Sequence, residues 1–269
     1  ATTGAPSASA GSLTNRGGTI RAAETSSLGL AVDGILDNSN KGAISAGGNT
    51  QITAGQLNND SGSATAVGDL SLTIGGAATN AGGTLAANGN TTLVASTLNN
   101  RLGTVAAVKG NLTVTTSGVT TNDEGTLQAG GKVALVNGGL INTDGTVFGD
   151  SLTVDTRGNA LDNSDKGTLA ATTTVDLKSG ALNNDAGLIQ SGAAMTIDTK
   201  GQTLRNTNAA GYDNKQGGIT SADTLDIKSG GVDNTAGFIG AKNALTAKTG
   251  DFLNSSGGMV LGQSTVGIN

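Results

Sequence analysis

The chain has 269 residues, 15 of them basic and 20 acidic, and contains neither histidine nor cysteine. That composition excludes Ser-His-Asp and Cys-His catalysis, zinc and haem centres, and any disulfide. With 45 glycines, one proline and four aromatic residues it also lacks the bulky side chains from which an enzyme core of this length is usually built. The charges are evenly spread, without a Lys/Arg cluster or an aromatic platform, which argues against nucleic-acid binding.

Residues 1–12 are Ala, Ser, Thr and Gly with Pro6, and read as a lead-in or a degenerate first coil. From Leu13 onward one skeleton recurs, L-x-N-x-x-G-x-[ILV]-x-[small]. Its asparagines are Asn15, Asn38, Asn59, Asn80, Asn100, Asn122, Asn142, Asn163, Asn184, Asn206, Asn234 and Asn254. A fixed period of this size is the signature of a solenoid. A glycine follows three residues after the asparagine in nine copies, from Gly18 to Gly257, and four after it at Gly42 and Gly167. Glycine at a fixed place after a short strand predicts a turn with positive φ. Next comes an apolar column (Ile20, Ile44, Ala64, Leu85, Val105, Leu127, Val147, Leu169, Ile189, Ile219, Ile239, Met259). A small-residue column lies two further on, with Leu261 the exception.

Every apolar step is i, i+2, the period of a strand, and no helical stripe occurs. Three short strands in such a repeat cannot bury a face alone, whereas stacked coils can. The sequence therefore predicts an all-β fold, a right-handed parallel β-helix of about 12 coils of roughly 21 residues, continuous over 13–269. At roughly 4.8 Å per coil this gives a rod about 55–60 Å long. The asparagine lies two residues after an apolar residue in eleven of twelve copies, Thr120 being the exception, so it should point inward. There its amide, donor and acceptor at once, can bond its neighbours along the axis and fix the register.

Departures from the repeat are few. Two extra residues around Glu24–Ser27 should bulge, and Lys41 and Lys166 add a turn residue before their glycines. The main interruption is the insertion at 207–216, which carries the only tyrosine; insertions in solenoids map to loops, often on the binding face. Tyr212, Asp213 and Lys215 are the candidate partner-binding residues, set against the plainer reading of a tolerated surface loop. Asp155/Arg157, Asp176/Lys178, Asp198/Lys200 and Asp226/Lys228 predict an acidic column beside a basic one on an outer face. The acidic group Asp144, Asp150 and Asp155 reads as solvated surface and not as catalytic carboxylates. Four Asn-x-Ser/Thr matches (Asn59, Asn90, Asn111, Asn254) are no more than so Asn- and Thr-rich a chain should contain. No dinucleotide, P-loop or calcium-repeat motif is present, so no catalytic, metal or cofactor residues are assigned. Without a signal peptide, a long apolar run or capped ends, the sequence reads as a fragment of a longer chain.

The repeat, with its Asn99-Asn100 and Asn183-Asn184 variants, resembles the haemagglutinin repeat of filamentous haemagglutinin and related large exoproteins of two-partner secretion. The resemblance runs from Leu13 to the end. It implies a stiff shaft segment on the surface of a Gram-negative cell, secreted with the help of an outer-membrane partner and displaying sites for a host glycan or protein receptor. It also implies an alternative, the shaft of a contact-dependent growth-inhibition protein. A polysaccharide-processing enzyme on the same fold is a third reading. The N-P-N-G-type motif of the family's secretion domain is absent, and the repeats carry no catalytic residues over.

Overall fold

The computed structural model describes residues 7–212 and 217–269. The fold is an all-β parallel solenoid of about 12 turns. One coil shows the design. Strands Thr84–Ala87, Thr91–Ala95 and Thr97–Asn99 are followed by a corner that begins at Asn100. Burial alternates along each strand, so Leu85, Leu93 and Leu98 are wholly inside while their neighbours face out. The side chains are short, aliphatic or β-branched, suited to a narrow half-buried strand.

The chain forms two compact units, Ala1–Gly131 and Lys132–Asn269. In the first, strands from Thr19–Arg21 to Thr126–Ala129 stack parallel and in register, Leu85 beside Ala64 and Val105. Ser7–Ala10 pairs with the start of Leu28–Asp37, and Glu24 and Thr25 form a turn. In the second unit, Thr146–Gly149 to Met259–Gly262 stack in the same way. Corner amides donate to the neighbouring coil, as Asn59 N–H does to the Thr79 carbonyl at 2.8 Å. The buried Thr120, the one polar residue where the pattern expects an apolar one, shares a hydrogen bond with Thr116 at 3.0 Å. Among the described residues there is no α-helix, only a 3-10 turn at Ala209–Gly211.

Except at Gly257, positive φ is not where the sequence predicts it. It falls one residue before the recurring glycine, at Ser61 (55°), Leu102 (57°), Glu124 (53°), Asp144 (50°), Ala186 (51°) and Ala236 (51°). The glycine is required for space instead. A Cβ on Gly83 would stand 2.2 Å from the Asn59 carbonyl oxygen and 2.6 Å from Asn80 Oδ1, and Gly103 and Gly125 are equally confined.

In the longer corners two successive residues are left-handed, Asn40 with Lys41 and Asp165 with Lys166. Ser256 and Gly257 repeat that pair, so Gly258, not Gly257, takes the confined place in the last coil. The register follows: Val260 pairs with Ile239 and Gly262 with Ala241. Met259 is therefore not in the apolar column, and Leu261 is an outward residue and no exception to the small one.

The charge columns need a second correction. Register places Asp155 beside Lys178, Lys178 beside Asp198, and Asp198 beside Lys228. Sign thus alternates along one column from Asp155 to Lys228, where Lys248 then stands beside Lys228 with the same sign, while Asp176 and Asp226 alternate with threonines in the other. Like charges one coil apart repel, and from Asp155 to Lys228 alternation removes that cost. The Asp198 carboxylate lies 3.2 Å from Lys200 Nζ and 3.8 Å from Lys228 Nζ, and Lys178 is 3.1 Å from Asp176. Arg157 and Lys200 turn out of the column with φ of 53°.

The hydrogen bonds from the Lys200 backbone N–H and then its side chain, followed by the charges of Lys200 and Lys228, hold the Asp198 carboxyl below its ordinary value against some desolvation. Ser39 does the same for Asp37. Asp176 raises Lys178 by hydrogen bond and charge. A lowered carboxyl stabilises above its unfolded pKa and loses that contribution as pH falls through the folded value. A raised lysine stabilises below its unfolded pKa and loses the contribution as pH rises through the folded one. Thermal melts are therefore expected to be flat between about pH 5 and 9, with modest losses only below about pH 4 and above about pH 10.5. A steep change near neutrality would contradict this.

Candidate functional site

Two places combine sequence signals with built geometry: the asparagine corner and the insertion. At the corner, each described ladder asparagine except Asn254 is buried. In the first unit Asn15 Nδ2 donates to Asn38 Oδ1, Asn38 to Asn59, Asn59 to Asn80, and Asn80 to Asn100, each at 2.7 Å. In the second, Asn142, Asn163, Asn184, Asn206 and Asn234 each donate to the next asparagine at 2.7–2.8 Å. Every link has one sense, from the earlier coil to the later. Asn80 Nδ2 also faces the Gly83 carbonyl at 3.2 Å and the Thr104 carbonyl at 3.1 Å, so one amide joins two corners and two coils. Chains of such bonds polarise one another and strengthen.

The insertion is anchored at its described residues. Thr207 and Ala209 are buried. Thr207 Oγ1 donates to Asp185 Oδ1, which also accepts from Asn208 Nδ2 at 2.7 Å and lies 3.6 Å from the Arg205 guanidinium. Tyr212 is half-buried, and its hydroxyl shares a hydrogen bond with Thr168 Oγ1 at 2.8 Å. Asp213 and Lys215 lie outside the described residues. Removing the tyrosine hydroxyl in Tyr212→Phe is expected to destabilise by about 1 kcal/mol, with Thr168→Val similar and the double variant no worse than either alone. Strictly additive losses in urea melts would show that the two hydroxyls do not depend on each other.

Asp144 precedes the strand Thr146–Gly149, Asp150 follows it, and Asp155 is the last residue of the next strand, Leu152–Asp155. Asp150 accepts from Thr172 Oγ1 at 2.7 Å and Asp155 from the Arg157 N–H at 2.7 Å. Carboxylates and lysines do meet over a depression of about 340 Å³ bordered by Asp176, Asp198, Asp226, Lys178, Lys228 and Lys248. Among the described residues no group of three His, Cys, Asp or Glu could hold a metal ion.

One feature escaped the sequence reading. At the outer corner before the second strand, Asn49 Oδ1 accepts from Asp69 N–H (2.9 Å), Asp69 Oδ1 from Asn90 N–H (2.7 Å) and Asn90 Oδ1 from Asn111 N–H (2.9 Å). The spacings of 20, 21 and 21 residues were available as a signal.

Stacked coils, an amide column in each unit and turn-borne variation define the class: a repeat β-solenoid. Within that class the family is clear. The model described as the haemagglutinin repeat matches residues 1–82, 147–208 and 203–266, and the chain belongs to that family. No curated protein and no solved structure matches the chain. Among the described residues no helix is long and apolar enough to cross a membrane.

Proposed function

We propose that the chain is a shaft segment of a secreted filamentous adhesin on a Gram-negative surface, acting by stiffness and by repeated display of sites for a host glycan or protein. The observation that carries this reading is the amide column, which commits the repeat's most regular polar residue to holding coils together. Family membership supports it. Export by a two-partner route with an outer-membrane partner belongs to the same proposal. The chain is proposed to lack catalysis and to need no cofactor.

The test removes whole coils from the protein on living cells, joining Asn59 to the residue after Asn100 so that the ladder stays in phase. Attachment to host cells should fall while surface amount and protease resistance are kept. Undiminished attachment at equal surface amount would overturn the shaft reading. Loss of a neighbouring cell's growth inhibition, with attachment intact, would support the delivery shaft instead.

A further inference from the structure

In the second unit the strands Leu152–Asp155, Val175–Lys178, Met195–Asp198, Leu225–Lys228 and Ala244–Lys248 stack in register and turn two columns outward. One runs Asp155, Lys178, Asp198, Lys228, Lys248; the other runs Thr153, Asp176, Thr196, Asp226, Thr246. The chain does not neutralise this face by itself. The Lys228 side chain is 71% exposed, and its carboxylate, Asp198, stands 3.8 Å away and is held closer, at 3.2 Å, by Lys200. Asp226 and Lys248 form no ion pair among the described residues. From Asp155 to Lys228 the sign alternates over four coils, and such a run is its own complement when read backwards.

We propose that this face docks a second copy of the chain, laid antiparallel, with a two-fold axis along the strands between the coils of Lys178 and Asp198. In that register Asp155 of each copy faces Lys228 of the other and Lys178 faces Asp198, each pair being made twice by the symmetry. The second column agrees: Thr153 faces Asp226 and Asp176 faces Thr196, a hydroxyl donor against a carboxylate. Lys248 faces Val136, the outward residue one coil before Asp155, and meets no like charge. A shift of one coil either way sets lysine against lysine in the first column and aspartate against aspartate in the second. Like charges so placed repel, so the electrostatics that favours contact also selects one register. Exposed pairs contribute little one by one, and salt screens them, so the dimer is weak and sensitive to ionic strength.

The experiment is sedimentation velocity on the purified chain at concentrations on the order of 0.1 mM, where weak contacts register. The native chain should dimerise in about 0.05 M salt, and its dissociation constant should rise at least about tenfold in about 0.5 M salt. Asp155→Lys with Asp198→Lys makes the first column positive throughout; Lys178→Asp with Lys228→Asp makes its first four places negative. Each double variant alone should be monomeric, and an equimolar mixture of the two should dimerise as the native chain does. Thermal melting shows whether each variant is folded; should one not fold, the salt response of the native chain decides alone. A native chain monomeric in low salt, a dimer indifferent to salt, a folded variant that dimerises alone, or folded variants that fail to associate when mixed would each overturn the proposal.

Discussion

Asn80→Asp is expected to be the most damaging single substitution in the first unit at pH 7. The isosteric carboxylate can still accept from Asn59, but its other oxygen would face Asn100 Oδ1 and the Gly83 and Thr104 carbonyls, all acceptors. A buried anion opposed by acceptors costs about 5 kcal/mol, compared with about 3 kcal/mol for Asn80→Ala, which only leaves partners unmatched. The difference should depend on pH in a definite direction. Burial raises the carboxyl, so the penalty is absent below the unfolded pKa near 3.9 and grows as pH rises through the folded value. Denaturant melts from pH 3.5 to 8 should bring the two variants together in acid. Asn80→Asp as stable as wild type at pH 7 would show that the column is hydrated.

Gly83→Ala and Gly82→Ala form the second pair, adjacent in sequence and opposed in outcome. A Cβ on Gly83 meets the backbone oxygen of Asn59 at 2.2 Å, an atom that cannot move without breaking the stack. The expected loss is about 3 kcal/mol or more. Gly82 has φ of +60°, but a Cβ there meets only Ser61 Oγ, at 3.6 Å. The equivalent corner residue elsewhere is Leu102 or Glu124. Its loss should be about 1 kcal/mol, the ordinary cost of a left-handed L-residue. Equal losses would mean that backbone conformation, and not contact between coils, selects the recurring glycine.

That pair shows where the sequence was legible and where it was not. The strands could be read because Leu85, Leu93 and Leu98 obey a period of two, and the ladder because Asn100 follows Leu98 at that same step. The glycine's position was equally plain, but positive φ and close approach both demand glycine and leave the same letter. Only the coil beneath tells them apart. Met259 was misassigned because one extra left-handed residue, Gly257 directly before Gly258, shifts the register. The charge columns were misread because Arg157 and Lys200 share a spacing with Lys178 and Lys228 yet lie beyond the strand ends. Asn49, Asp69 and Asn90 recur on an exposed corner, where polar residues usually signify solvent and nothing more. Tyr212 was located, but its partner Thr168 lies 44 residues earlier, a distance no local pattern carries.

The common sense of the amide links bears on how such a gene can change. Any coil presents a donor to its successor and an acceptor to its predecessor, so one coil can be duplicated, lost or exchanged for another without leaving an amide reversed. A gain or loss of part of a coil would break the column at that point. Unequal crossing-over between repeats can therefore alter the number of coils freely while selection holds their cross-section. The corners can drift in the meantime, and the insertion after Asn206 lengthens the step to 28 residues while its amide still reaches Asn234 at 2.8 Å. Inheritance acts on this protein in units of one turn.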